Sequence, residues 1–207
     1  MAVEVRRNLE GSIRTRGSIR DWRRGLPQLT DGLITLRSLR ASDASLLFRL
    51  VTPAVVRYLP DAPRSPQEFR GFIRWTQAQR RRGAHICYAV VPGPGRPPAG
   101  FVQIWSVDRS FSTAEWGFVL GERYWGTGLF DRAARLLLDF AFSDLHVDRL
   151  EARAVIANAR GNGALRKLAA TPEGVLRSAS WANGVPVDSM MWSILASDWG
   201  AIDGVRR

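Results

Sequence analysis

The group of residues best suited to chemistry is Arg123-Tyr124-Trp125-Gly126-Thr127-Gly128, a turn with two glycines between an alternating apolar run and a helical pattern. Glycines at such a junction let successive backbone N–H groups converge at the positive end of a helix, which makes a place for a phosphate or pyrophosphate. Two familiar phosphate loops are excluded. A dinucleotide-binding turn needs a third glycine where Asp131 stands, and a Walker loop needs Gly-Lys-Ser/Thr, whereas the sole lysine is Lys167. Other chemistry is scarce: Cys87 is the one cysteine and His85 and His146 are the two histidines, so no internal disulfide and no cysteine-based zinc set is available.

The elements that must position this turn follow from periodicity. Ala114, Trp116, Phe118 and Leu120 alternate with Glu115, Gly117 and Val119 as a strand, and Phe130, Ala133, Ala134, Leu137, Phe140 and Ala141 recur at helical spacing. Upstream, Gly32 to Leu39 reads as a strand, and Asp43 as the cap of a helix carrying Leu46, Leu47, Leu50 and Val51. A short helical turn follows Pro53, and Ser65-Pro66-Gln67-Glu68 is a capping box opening a helix through Phe69, Phe72, Ile73 and Trp75. His85 to Val91, Ala99 to Val107 and Ser112 to Leu120 form three antiparallel strands with short links. Asp148 to Ile156 is another strand, with Leu150, Ala152, Ala154 and Ile156 on one face; Asn158 then leads a helix, and Asn183-Gly184 turns a hairpin between Gly174 to Ala182 and Val185 to Leu195. The order predicts an α+β (or α/β) fold with one mixed sheet, in which the strands either side of the central helix are parallel neighbours.

At 207 residues the chain reads as one domain over residues 29–199, with a basic extension at 1–28 and a tail at 200–207. No apolar run approaches a membrane span and no leader-like segment opens the chain, which predicts a cytoplasmic protein without membrane contact. The net charge of +11 is uneven: through Gly83 there are 17 arginines against 7 acids, and beyond it 13 basic residues against 12 acids. Such an excess attracts an acidic protein, ribosomal RNA or a nucleotide phosphate; it is also what a solvated surface looks like where 29 of 30 basic residues are arginine. The first residues are irregular, with Gly-Ser-Ile-Arg at 11 and 17, and form an ordered arm only if Trp22 and Leu26 pack on the domain.

The Arg-x-x-Gly-x-Gly pattern between strand and helix resembles the acetyl-CoA pyrophosphate loop of the GNAT N-acetyltransferases. Further segments are similar to the RimJ/RimL-like branch: Leu33 to Asp43, Val55-Val-Arg-Tyr-Leu59 with Pro63 to Glu68, Ala114-Glu-Trp-Gly-Phe118, and Asn158 to Leu168 with Glu173-Gly174. The resemblance implies that Phe118, Val119 and Leu120 pair by backbone with the pantetheine arm. It likewise implies that the N–H groups of Arg123, Tyr124, Trp125, Gly126, Thr127 and Gly128 hold the pyrophosphate, and that Asn158 bonds the pantetheine or cysteamine end, although Asn158 is equally natural as a helix cap.

The implied reaction is amine attack on a thioester, which needs a neutral amine, an oxyanion donor and a proton for the leaving thiolate. An α-amine, with pKa near 7.7–8, asks less of a base than a lysine near 10.4. Glu115 is the candidate base, acting through water, against the plainer reading of a sheet carboxylate paired with arginine; His85 is the alternative. The sequence departs from the branch at Gly161, where a serine is usual, at Ala169, where glycine is usual, and in lacking a tyrosine in the helix after Asn158. Tyr88, Tyr124 or water then has to supply the proton. The expected activity is acetyl-CoA-dependent acetylation of a protein N-terminal amine, ribosomal proteins among the acceptors, by a monomer or homodimer. The rivals are a small-amine or antibiotic acetyltransferase, marked by a closed pocket lined by Tyr58, Trp75 and Trp105, and a catalytically weak basic module bound to RNA.

Overall fold

The computed structural model describes residues 21–204 except 60, 61, 109 and 183. The strands are β1 (Leu29–Thr30), β2 (Thr35–Ser38), β3 (His85–Val91), β4 (Gly100–Ser106), β5 (Thr113–Leu120), β6 (Arg149–Val155), β7 (Thr171–Ala182) and β8 (Val185–Leu195). The helices are α1 (Ala44–Phe48), α2 (Pro53–Val56), α3 (Pro66–Arg81), α4 (Leu129–Ser143), α5 (Ala159–Lys167) and α6 (Ala196–Gly204). All eight strands form one sheet in the order β1-β2-β3-β4-β5-β6-β8-β7, antiparallel except for the β5–β6 pair.

The sheet is covered on both faces, which is why β3 is buried at every position. Ile86, Tyr88 and Val90 join Trp116, Leu150 and the buried α4 residues Leu129, Ala133, Leu137 and Phe140 in one cluster, while Cys87 and Ala89 meet Leu47, Phe69 and Ile73 of α1 and α3 in a second. Burial of Cys87 pushes its thiol up, so it behaves as a small core residue. Trp22 and Leu26 pack on the first cluster, and Arg80 donates to the carbonyls of Trp22 and Arg23 at 2.9 and 2.6 Å, so the chain is tied down from residue 21. The Gly-Ser-Ile-Arg repeat lies outside the described residues, as does Asn183 of the hairpin turn.

Several expected boundaries move for local reasons. Asp43 closes a 3-10 turn, Ala41–Asp43, instead of capping α1: its carboxylate takes the Arg40 N–H at 2.8 Å and both arms of the Arg37 guanidinium at 2.7 and 2.8 Å. A planar fork outcompetes a single backbone donor. Leu50 and Val51 fall beyond α1, their N–H groups closing tighter turns onto Leu47 and Phe48 at 2.9 and 3.0 Å, and Thr52, which Pro53 keeps extended, caps α2. Ile156 lies outside β6 and is exposed. Helix α6 had no strong periodic signal; it is docked by the Trp199 indole donating to Asp139 at 2.7 Å.

Ala169 has φ +59, the left-handed region where a Cβ costs roughly 1 kcal/mol. Ala169→Gly is therefore expected to raise stability by up to about 1 kcal/mol in urea unfolding; a destabilised variant would show that the turn is not strained.

Candidate functional site

Strands β5 and β6 pair at Thr113–Arg149, Ala114–Leu150 and Glu115–Glu151 and then part, β5 staying with β4 to Leu120 and β6 with β8 to Val155. The result is a slot about five residues, or about 16 Å, long. The β4 ladder fixes what lines it. Val107 N–H donates to Thr113 and Gly121 N–H to Ala99, so odd-numbered residues of β5 exchange hydrogen bonds with β4 and even-numbered ones face the slot. Phe118 therefore offers both its N–H and C=O. Leu120 offers only its N–H, since the Trp125 indole donates to its carbonyl at 3.0 Å. The backbone of Val119 belongs to the β4 ladder, and its side chain packs on the α1–α3 cluster.

At the open end of the slot stands the glycine turn. Gly126 and Gly128 have φ +74 and +82, and Gly128 caps α4. Tyr124 and Trp125 do not contribute their amides, which donate to Gly121 and Glu122 at 2.9 and 3.0 Å within a short 3-10 turn. The N–H groups of Gly126, Thr127, Gly128, Phe130 and Asp131 have no partner among the described residues, and no heavy atom lies within 4 Å of where a Gly126 Cβ would be. Thr127 Oγ1 ties the turn together, donating to Tyr124 O at 2.8 Å. The Arg123 guanidinium lies over the Tyr124 ring at 4.8 Å and that of Arg160 over Trp125 at 4.1 Å. Five orphan amides at a helix N-terminus with cations beside them fit a diphosphate. A hollow of about 670 Å³ adjoins the turn, lined by Arg49, Leu50, Pro97, Pro98 and Arg123 among others.

Where the slot begins, the α3 face of the sheet carries a row of polar and aromatic side chains. His85, Trp105, Glu115 and Glu151 are successive cross-strand neighbours. Burial raises the pKa of Glu115, and Glu151 adds to the rise; Arg153, 3.7 Å away, and a hydrogen bond from Trp105 oppose it. Glu151 is itself held by Arg149 at 2.9 Å, and Arg149 also grips Glu173, whose carboxyl it pulls down to about 2. His85 is a weak candidate base. Burial lowers it to about 4, its Nε2 meets Gln103 Oε1 at 3.2 Å, and Trp75 and Trp105 enclose it.

On the β6 side, Asn158 caps α5, its Oδ1 accepting the Gly161 N–H at 2.9 Å; its Nδ2 makes no hydrogen bond among the described residues. A Cβ at Gly161 would come within 2.6 Å of that Nδ2, so glycine there accommodates this rotamer. Of the tyrosines weighed as proton donors, Tyr88 is buried against Phe140 on the α4 face with its hydroxyl unpartnered, away from the slot. Tyr124 sits in the glycine turn.

The roles of Asn162, Thr52 and Arg153, and the contact made by Tyr58, escaped the sequence reading. Asn162 knits α5 to the end of β6 and to β8, donating to Val155 O and Asn158 O and accepting from the Trp192 indole, all at 2.9 Å. Tyr58 donates to Ala157 O at 3.1 Å while Thr52, six residues earlier, donates to Glu122 at 3.1 Å, so this segment straps the mouth of the slot from the β5 side to the β6 side. Arg153 reaches back to Glu115 where the two backbones separate. Only the helical position of Asn162 left a trace in the sequence; the others are contacts across 70 residues or more, or across neighbouring strands.

The model of the acetyltransferase (GNAT) domain matches residues 34–171. An uncharacterized N-acetyltransferase of Bacillus licheniformis is 26% identical over 168 residues, covering 80% of this chain and 94% of its own. Among solved structures, RimL, a ribosomal-protein α-N-acetyltransferase in complex with coenzyme A, superposes with TM-score 0.75 at 20% identity, covering 83% of this chain and 99% of that one. RimJ of Mycobacterium smegmatis, in complex with a CoA disulfide, gives 0.72 at 18% identity over 86% and 93%.

Proposed function

Since the chain belongs to the GNAT acetyltransferase family, we propose that it takes its acetyl group from acetyl-CoA and delivers it to the N-terminal α-amine of a polypeptide, ribosomal proteins being the first acceptors to try. The observation that carries the donor half is the slot ending in unpartnered amides at the start of α4. Acetyl-CoA supplies an activated thioester when bound. The amides of Gly126, Thr127, Gly128, Phe130 and Asp131 would hold its pyrophosphate, Phe118 and Leu120 its pantetheine, and the free Nδ2 of Asn158 one of its amide carbonyls. The RimL and RimJ structures, each in complex with a form of coenzyme A, support this reading.

The acceptor half rests on shape and on proton chemistry. Tyr58, Trp75 and Trp105 do not line one closed pocket. Tyr58 is in the strap, Trp75 is 51% exposed, and the groove beside the strap, about 590 Å³ between Val51, Val56 and Trp181, is open. An open groove suits a chain end. Glu115 accepts the amine proton; burial raises its pKa, which makes it a better base, while Arg153 and Trp105 oppose the rise. An α-amine is already about a tenth to a fifth neutral at pH 7, so a carboxylate of moderate basicity suffices.

Calorimetric titration with acetyl-CoA, beside a thiol-release assay with peptides, tests both halves. Saturable binding is expected, with release that requires a free N-terminal amine and vanishes for N-acetylated peptides. Turnover confined to lysine side chains or small amines would overturn the acceptor, and absence of binding at millimolar concentration would overturn the donor.

A further inference from the structure

We propose that the exposed face of α3 is a docking surface for the phosphate backbone of single-stranded RNA. Between residues 64 and 82 there are six arginines and one acid, Glu68. Arg70, Arg74 and Arg81 fall within about 40° of one another around the helix axis and are spaced about 6 and 10 Å along it. Trp75 and the C-cap Arg82 are exposed on the adjoining stripe, about 100° further round the helix.

These side chains lack carboxylate partners, as Arg49, Arg57, Arg96 and Arg177 also do among the described residues; what sets them apart is their density, six arginines to one acid between residues 64 and 82. Elsewhere in the described residues Arg37 pairs with Asp43, Arg132 with Asp31, Arg135 with Asp131 and Arg149 with Glu151 and Glu173. Arg64, Arg70, Arg74, Arg81 and Arg82 have no such pair, and Glu68 is turned to the Arg64 N–H at 2.8 Å. Burial, and after it the charge of neighbouring Arg81, lowers the pKa of Arg80. An unneutralised row of guanidinium groups is a polyanion site.

Trp75 narrows the partner. It is 51% exposed, backed by Phe72 at 6.3 Å and His85 at 5.0 Å, and offers a half-open ring beside the arginine row, on which an unpaired base can stack. An acidic protein has no use for such a platform. The face also adjoins the His85–Trp105–Glu115 row, so RNA bound along α3 would run beside the candidate base.

The test uses the full chain without acetyl-CoA, so its failure leaves the proposed acetyl transfer untouched. Binding of a fluorescent 20-nucleotide RNA of mixed sequence is followed by anisotropy against salt. Affinity is expected to fall with a log–log slope of about −2, from about three phosphates at roughly 0.7 each on a single strand. Arg70→Glu with Arg74→Glu should weaken binding at least about tenfold, and Trp75→Ala about 5- to 100-fold. Arg96→Glu with Arg177→Glu, a matched charge change on exposed residues elsewhere, should alter it less than about threefold. The first 20 residues carry five more arginines and act equally in both double variants. Equal losses from the two double variants, polyglutamate competing as well as RNA charge for charge, or no binding at 50 mM salt would each overturn the proposal.

Discussion

Gly126→Asp is expected to abolish binding of acetyl-CoA while leaving the fold intact. Gly126 has φ +74, a conformation that aspartate and asparagine tolerate better than other side chains, and its missing Cβ points into open space. Folding should therefore cost about 1 kcal/mol or less. The new carboxylate stands among the five orphan amides. At about 4 Å from a phosphate, with an effective dielectric of about 20, each pair of like charges repels by about 4 kcal/mol, or about three decades in affinity. Gly126→Asn carries the same backbone strain without the charge and should weaken binding by about tenfold at most. Calorimetry with coenzyme A, and a melting curve for each variant, decides the matter. Equal losses in Asp and Asn would mean that strain, not electrostatics, disables the turn; tight binding by the Asp variant would place the phosphates elsewhere.

The architecture around this turn was legible because it rests on local rules. Alternation in Ala114 to Leu120, helical spacing after Gly128 and the short links between β3, β4 and β5 are read directly from neighbouring residues, and the handedness of the β5–α4–β6 crossover makes its two strands parallel. The same locality explains what was not legible. Which amides of the turn are free depends on a 3-10 turn that consumes Tyr124 and Trp125, and the register between β4 and β5 decides that Val119 turns its backbone away from the slot. Neither is encoded in residue type. The Tyr58–Ala157 bond spans 99 residues and the Thr52–Glu122 bond 70, so the strap exists only once the chain has folded. Asn158 shows an intermediate case: cap and ligand were both open from its type, and the structure gives its Oδ1 to the cap while leaving its Nδ2 for another partner.

Glu115→Gln should reduce kcat by about 10²- to 10⁴-fold, the usual worth of a general base, with the affinity for acetyl-CoA unchanged. Its neighbours make a sharper test than its removal. A carboxylate accepts a proton only when ionised, so activity must fall as pH drops through the Glu115 pKa, and burial together with Glu151 places that fall above the ordinary carboxylate range. Arg153→Gln removes an opposing positive charge and should move the acid limb of kcat/KM further up. Glu151→Gln removes a negative charge on the neighbouring strand and should move it down. The acceptor's own amine ionises identically in all variants, so differences between profiles belong to the enzyme. Two shifts of opposite sign on a limb that Glu115→Gln erases would assign the proton to this carboxylate. A purely structural Glu115, paired with Arg153 to hold the parting strands, predicts instead lowered melting temperatures with the acid limb unmoved, and that outcome would return the search for a base to water and the acceptor itself.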